Sequence, residues 1–551
     1  MSALNKRKKQ PLRIWLILTV IVLAGGWLRF AHLGTASYWV DEVNHVAAAQ
    51  AMLQGKGPVL LSNMTYDRSI LFTRLVSWSF AVFGVNEFAA RIPSAFWGTV
   101  TIPLIFFIAW RMFGRSFHGL LAALLFALHP LMIGWARECR MYTMFLFFFL
   151  LGVYGLYEGL EGTRRKYQPG VVRTGLKKVL ADWNIDLLWL VVGTFSLLLA
   201  ASLHMLAGVV FPAALAYAVI MIVVTSVAGD RNPAVISKYL FFLFISLLGL
   251  LAGILLLPDF FAKVRTALEF QPNWSQYSYV QNPWYYVERV SNSFFWSVAL
   301  FFGVGTVMVF YKRSQPAFYL WIMCVVPLFL LSTLFALRVE RYAFHAYALM
   351  IMISAYGLAQ TAYLMRTVLV KKILPATMAR RSKKLIVYGS VLGMLAGVLV
   401  LSPWVRFARK IPAISYGTNG AVSHLEWRPA GEFVKQQMAG GEPVISTLPL
   451  TTYFYTTRAD YFLASMARPR PEEVYTTNGE IRDYFSNAQV VDTLEDLQRV
   501  IALNPKGWLI LDLYRFEREQ YVRADVREFI KNKLKQVYRT PGGTVVVYAW
   551  G

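Results

Sequence analysis

Charge is scarce in this chain. Of its 551 residues only 15% are charged and 57% are hydrophobic, whereas soluble domains carry about 25% charged residues. That balance argues against an ordinary soluble globular protein. Cysteine is scarcer still. The chain has two, Cys139 and Cys324, far apart and within or beside apolar runs, and none in residues 404–551. A disulfide framework is therefore not expected. Also missing are a Walker loop, a GxGxxG turn after a strand, HExxH, CxxC and GxSxG. The sequence signatures of P-loop, dinucleotide, zincin, thiol-redox and α/β-hydrolase chemistry are thus all absent. No internal repeat or low-complexity segment stands out.

Acid is the rarer sign of charge, with 30 Asp and Glu against 55 Lys and Arg, a net charge of +25. In a soluble protein this excess suggests nucleic acid. Here the basic residues cluster between apolar runs, so membrane topology explains them and no nucleic-acid partner is expected.

The chain is rich in long apolar runs. Eleven lie at about 14–33, 91–110, 117–135, 141–158, 186–203, 206–227, 239–257, 292–311, 317–336, 346–365 and 385–403. They predict a polytopic α-helical membrane protein with about 11 transmembrane helices. The basic opening MSALNKRKKQ precedes a run of roughly 20 residues with no convincing small-residue cleavage site, so the first run reads as a retained helix. A twelfth stretch, Ser69–Gly84, is short and carries Arg74. If it lies along the outer interface, the six basic clusters (Lys6–Lys9, Arg111/Arg115, Arg164–Lys178, Arg231/Lys238, Lys312/Arg313 and Arg366–Lys384) all fall on the cytoplasmic side.

That choice sets the rest of the topology. The N-terminus is cytoplasmic, and residues 34–90 form one long outer loop with interfacial helices. "WARECRMY" (135–142), residues 258–290 and "LRVERYAFH" (337–345) form three more. Two domains are expected, a transmembrane domain over 1–403 and a C-terminal soluble α/β domain over 404–551 on the outer side. In the tail, "PVISTLP", "GWLILDLY" and "VVVYAW" read as strands. Thr493–Asp496 reads as a helix-starting capping box and Tyr521–Val537 as an amphipathic helix.

Chemistry concentrates in the outer loops. "SYWVDEVNH" places Asp41 and Glu42 where the chain leaves the first apolar run, with Tyr38 and Trp39 as interfacial anchors. Two readings stay open. In one, the acids make ordinary polar contacts beside His45. In the other, one acid is a general base and its neighbour orients it or holds a metal. Arg137, Glu138, Arg140 and Tyr142 crowd the second loop, Lys263 and Arg265 lie in the third, Arg341 and Tyr342 in the fourth, and Asp67 and Arg68 in the first. Outer arginines run against the positive-inside bias, and one reason for them is an anionic lipid phosphate, which Arg grips bidentately. His204 sits between the fifth and sixth runs, at the outer side.

The acidic pair after the first helix, together with "FGVNEFAARIPSAFWGTVTIPL", "ALLFALHPLMIGWARECRMYTMFLFF" and "VERYAFHAY", resembles the GT-C glycosyltransferases. The likeness is to the branch of protein O-mannosyltransferases and aminoarabinose (lipid A) transferases, over about residues 14–403. The resemblance implies a polyprenyl-phosphate sugar as donor and a lipid, glycan or protein acceptor, with membrane lipids as surroundings. It implies catalysis on the outer face of the inner membrane and a periplasmic tail. It makes Asp41 the base for the acceptor hydroxyl and Glu42 its usual neighbour. Arg68 falls where a lysine near the lipid phosphate is found, Asp67 where an acid is found, and Arg341 and Tyr342 in the late arginine-tyrosine motif. Lys263 or Arg265 would add charge at the phosphate, and His204 resembles a histidine at the same helix end. One departure concerns the second loop, where related oligosaccharyltransferases carry Asp or Asp-x-Asp and this chain carries Arg-Glu-Cys-Arg. A divalent ion (Mg, Mn or Zn), if bound, would draw on Glu42, Asp67, Glu138 and His204. Competing readings are a lipid-linked sugar flippase or transporter, and a ligase using polyprenyl-diphosphate glycans. The sugar and the acceptor are not legible.

Overall fold

The computed structural model describes residues 11–162, 175–227, 233–256, 282–291, 296–335, 338–375, 424–466 and 473–551, with isolated positions among 262–266 and 378–397. The chain divides into two compact units. The first comprises 1–29, 96–136 and 142–410, the second 30–95, 137–141 and 411–551. The expected boundary at 403/404 lies outside the described residues.

Each of the first ten apolar runs coincides with apolar helix. The eleventh, 385–403, lies outside the described residues apart from isolated positions. Among the described residues seven helices are long and apolar enough to cross a membrane: Leu12–Phe30, Glu87–Phe113, Tyr142–Glu161, Met205–Val227, Pro233–Leu251, Gln315–Thr333 and Glu340–Val368. Others are shorter, among them Ser116–Leu128, Leu187–Leu203 and Val298–Tyr311. The run at 117–135 is not one helix. His129 precedes Pro130 and takes an extended conformation (φ −69°, ψ 124°), which stops Ser116–Leu128 and starts Pro130–Trp135. A residue before proline is pushed out of the helical region by the ring's Cδ. The His129 Nδ1 then accepts from Leu131 N at 3.3 Å, capping the new helix.

Within the helical unit, small residues let backbones touch. Gly152, Gly155 and Gly159 line one face of Tyr142–Glu161 and meet Leu187–Leu203. A Cβ on Gly155 would sit 2.6 Å from the Gly193 Cα. Lipid supplies no hydrophobic drive for helices to associate, so this close approach gains dispersion contacts that larger residues would forbid. Arg29 is fully buried in its apolar surroundings. Its Nη1 and Nη2 groups donate to the carbonyls of Gly25 (2.8 Å), Ala127 (3.0 Å) and Phe126 (3.3 Å).

The second unit carries an eight-stranded sheet, β1 (Val444–Ser446), β2 (Tyr461–Leu463), β3 (Val474–Thr477), β4 (Glu480–Asp483), β5 (Gln489–Val491), β6 (Gly507–Asp512), β7 (Lys535–Arg539) and β8 (Val545–Trp550), in the order β3-β4-β5-β2-β1-β6-β8-β7. The middle, β5-β2-β1-β6, is parallel, with Ile445 opposite both Tyr461 and Leu509. Both edges are antiparallel. β1 is buried throughout, as a central parallel strand must be. The β3–β4 hairpin turns at Asn478-Gly479, both at positive φ (50° and 78°), the backbone that a two-residue hairpin demands. The three expected strands are β1, β6 and β8. The capping box at Thr493 is present, with the Thr493 hydroxyl accepting from Asp496 N and the Asp496 carboxylate from Thr493 N.

The expected helix over Tyr521–Val537 is shorter, Ala524–Lys533. Val526 and Ile530 supply its buried face, but Leu534 turns extended and the chain from Lys535 pairs with β8. Backbone pairing with β8, which no local pattern announces, decides the boundary. The unit also holds two helices of the first loop, Glu42–Leu53 and Ile70–Phe83.

Candidate active site

Asp41 and Glu42 are neighbours with opposite fates. Glu42 opens its helix and is completely buried. Its Oε1 accepts from Arg91 Nε (2.9 Å) and Cys139 N (2.6 Å), and its Oε2 from Arg91 Nη2 (2.7 Å) and Trp39 N (2.8 Å). Burial works against the anion, but the Arg91 guanidinium and these donors outweigh it and hold the carboxyl down to about 2. Arg91 spends its remaining N–H groups on the carbonyls of Leu33, Ala36 and Ser37. The pair thus fastens the loop at both ends. Asp41 is the N-cap of the same helix, makes no side-chain capping bond, and keeps 30% of its side chain exposed. Arg140 donates to the Asp41 carbonyl at 2.9 Å and sets its Nη2 4.0 Å from the Asp41 carboxylate.

Around this acid lies a shell of neutral and cationic groups. His45 is buried, with Nδ1 2.9 Å from Thr73 Oγ1 and its ring packed edge-on against Tyr66 and Phe72. Burial first, then Arg140 and Arg68, keep its pKa well below the ordinary histidine value. Its work is to join the two first-loop helices as a neutral ring. Arg68 and Arg140 also act on the Tyr66 hydroxyl, and so does Asp41, which brings Asp41, Arg68 and Arg140 into one electrostatic neighbourhood. Arg68 and Asp67 are exposed.

The second loop and the tail meet in the same unit. Glu138 Oε1 lies 2.9 Å from His424 Nε2, and His424 Nδ1 faces the Ser37 carbonyl. Burial disfavours the imidazolium, but Glu138 outweighs it and raises the His424 pKa above its ordinary value. The Tyr455 hydroxyl accepts from Tyr38 N (2.8 Å) and donates to Glu87 (2.7 Å), while Arg428 pairs with Glu87 and donates to the Gly34 carbonyl (2.8 Å). Tyr38 and Trp39 are 3% and 8% exposed. They pack inside the unit, Tyr38 against Phe454 and Tyr455, rather than serving as interfacial anchors.

Glu42, Glu138 and His424 place ligand atoms within 4.8 Å of one another. This acid–histidine group does not suit a divalent ion. All the near acceptor directions of Glu42 hold N–H donors, two from a guanidinium, and a dication there would stand against Arg91. Glu138 and His424 alone are too few protein ligands for the usual three- or four-ligand set. The structure joins Glu42 and Glu138, as the metal reading required, but His204 belongs to the other unit, where its ring packs with Tyr142 (5.6 Å), Phe145 (5.7 Å) and Tyr342 (6.1 Å). Arg341 lies 5.9 Å from the Tyr342 ring, also in that unit. Arg137 donates to the carbonyls of Ala31 (2.6 Å) and His32 (3.2 Å). Arg265 is exposed, and Lys263 lies outside the described residues.

Arg91 and His424 were not singled out from sequence. Arg91 had a signal, an arginine opening an apolar run, which needs a partner. His424 had none, because its partners lie 286 and 387 residues away.

Comparison with known proteins bears on fold more than on activity. Residues 67–173 match the family described as dolichyl-phosphate-mannose-protein mannosyltransferase. An undecaprenyl phosphate-alpha-4-amino-4-deoxy-L-arabinose arabinosyl transferase of Pseudomonas aeruginosa is 26% identical over 163 residues, which covers 29% of this chain and 30% of that one. The match thus spans less than a third of that relative. ArnT from Cupriavidus metallidurans, in the apo state, superposes over 98% of this chain and 97% of its own with TM-score 0.59 and 13% identity. A second structure of it, bound to undecaprenyl phosphate, gives 0.55. The Archaeoglobus fulgidus oligosaccharyltransferase in the apo form gives 0.60 over 97% of this chain and 74% of its own, at 12% identity. The fold is a polytopic helical GT-C fold with a sheet-bearing C-terminal region, and the chain's resemblance is to the arabinosyltransferase and mannosyltransferase branch.

Proposed function

We propose that the chain is a glycosyltransferase of the outer face of the inner membrane, multi-pass, with its N-terminus cytoplasmic and its C-terminal domain periplasmic. It moves a sugar from a polyprenyl-phosphate donor to an acceptor hydroxyl or phosphate. The observation that carries this reading is the partly exposed Asp41 carboxylate in one neighbourhood with Arg140 and Arg68. It is supported by the likeness to ArnT, solved with undecaprenyl phosphate bound.

For a hydroxyl acceptor the Asp41 carboxylate takes the proton as the acceptor oxygen bonds to the anomeric carbon. The bond from that carbon to the phosphate oxygen breaks on the opposite face, and polyprenyl phosphate leaves with one more negative charge than it had in the ester. Cations fixed beforehand stabilise that growing charge more than they stabilise the bound donor. Arg140 is the cation beside Asp41 and Arg68 acts on the neighbouring Tyr66 hydroxyl, while Arg341, Tyr342 and the third-loop Lys263 and Arg265 take the phosphate-binding role that the resemblance gives them. A single displacement inverts the anomeric centre. Glu42, saturated by four donors, has no free lone pair aimed at an acceptor and acts as a positioning residue for Asp41.

The test is turnover in proteoliposomes given a panel of polyprenyl-phosphate sugars, following release of polyprenyl phosphate. Asp41→Asn should lower turnover by about 10²–10⁴, the span of general-base contributions, with an unchanged unfolding temperature. Wild-type turnover in Asp41→Asn would remove Asp41 as base. Release of polyprenyl diphosphate would favour a ligase, and sugar-lipid crossing the bilayer intact a transporter.

A further inference from the structure

We propose that a cleft at the basic end of the helical unit binds a phosphate-bearing anion, either the headgroup of an acidic phospholipid or a soluble phosphate. The cleft has a volume of about 250 Å³ and is lined by Arg115, His118, Lys312, Ser314, Gln360 and Tyr363 among others, none of them acidic. It shares no residue with the Asp41 group.

Four features of the cleft point to an anion. Two helices begin at its rim, Ser116–Leu128 with Arg115 as N-cap and Gln315–Thr333 with Ser314 as N-cap, and neither cap side chain makes a capping hydrogen bond. Helix starts carry unsatisfied N–H groups and the positive end of the backbone dipole, and phosphate groups settle there. The Lys312 ammonium is held at the rim by Gln360 Oε1 (2.6 Å). The Arg115 guanidinium lies 4.7 Å from the Tyr363 ring centre. A guanidinium packed on an aromatic face keeps its edge N–H groups in a fixed fork that matches phosphate oxygens.

The fourth feature is independent of charge. His118 is 2% exposed, and among the described residues its ring has one hydrogen-bonding neighbour, the Phe113 backbone, which can serve only one of its two nitrogens. Phe113, Tyr356 and Tyr363 pack around its ring at 5.5–5.8 Å. A buried polar atom without a partner is costly, and a phosphate group in the cleft supplies a partner for the ring nitrogen that Phe113 does not take. Arg115 and Lys312 each have a basic sequence neighbour, Arg111 and Arg313, and the helix bearing Gln360 and Tyr363 carries Arg366 in its last turn. By the positive-inside bias this end faces the cytoplasmic leaflet, where acidic lipids are found.

The test uses the full chain in a neutral detergent and reads the unfolding temperature during titration. The probes are a short-chain phosphatidylglycerol, the matching phosphatidylcholine and inorganic phosphate. A saturable rise with phosphatidylglycerol but not with phosphatidylcholine is expected, with Arg115→Gln and Lys312→Gln raising half-saturation at least tenfold. Arg313→Gln, an exposed neighbour that does not line the cleft, should respond as wild type does. The same variant-sensitive rise with inorganic phosphate would support the site and make the ligand a soluble phosphate. No saturable rise with either anion overturns the proposal, as does a rise indifferent to both glutamine variants. Should those variants fail to fold, the wild-type titrations still decide it.

Discussion

Replacing Glu42 by glutamine tests the heart of the site without touching its shape. Four N–H groups at 2.6–2.9 Å converge on the two Glu42 oxygens, and both Glu42 and Arg91 are essentially excluded from water. Glutamine has one acceptor oxygen and one NH₂. Whichever way the amide turns, two donors then face two donors, and the Arg91 charge loses its counterion. Removing one partner of a buried ion pair costs about 3–5 kcal/mol, because the other charge stays buried. For a folded unit of about 200 residues each kcal/mol is about 2–4 °C, so the unfolding temperature should fall by about 6–20 °C. Intrinsic-fluorescence melts at one fixed scan rate in detergent would measure it. The double variant Glu42→Gln with Arg91→Met removes both charges and should lose less than the two single variants added together. A Glu42→Gln melt within 2 °C of wild type, or strictly additive losses, would refute the buried-pair account.

Other consequences follow from the same structure. His424 has a pKa raised by Glu138, so its contribution to stability is complete below the unfolded histidine value of about 6.5 and is lost as pH rises through its higher folded value. Melts from pH 5 to 9 should therefore show an alkaline loss in wild type that His424→Asn abolishes. Gly155→Leu would drive a side chain into the Gly193 backbone, 2.6 Å from the added Cβ, and should destabilise the helical unit by about 1–3 kcal/mol or more, read as a lowered unfolding temperature. Because Glu42 is already saturated, a chelator should leave both the melt and polyprenyl phosphate release unchanged; a chelator-induced fall restored by added zinc or manganese would show that the acid–histidine group does hold a metal.

Much of the fold was legible because bilayers impose a coarse rule. A run of about 20 apolar residues has few structural choices, so the first ten runs became helices. Local chemistry was legible as well where it was self-contained: the Thr493 capping box, and the strands at Val444, Gly507 and Val545. The break at His129-Pro130 was written in the sequence but overridden by the length of the apolar run. Asn478-Gly479 is likewise a hairpin signal local to the sequence. The helix end at Lys533 was not legible, since the pairing of Lys535 with Ala549 is a tertiary event.

At the site the division is sharper. Sequence by itself determined that an acidic pair follows the first helix, that arginines gather in loops where lipids rarely ask for them, and that the tail is α/β. Composition and period suffice for such statements, because each depends on neighbours close in the chain. Only the tertiary structure decided which of two adjacent carboxylates is locked and which is open. Arg91, 49 residues on, takes Glu42, and Arg140 from the second loop takes the side of Asp41. His424, Arg428 and Tyr455 of the tail fasten the loop that holds them both. A carboxylate's fate rests on which cations and N–H groups reach it in space, and that assignment is made by packing.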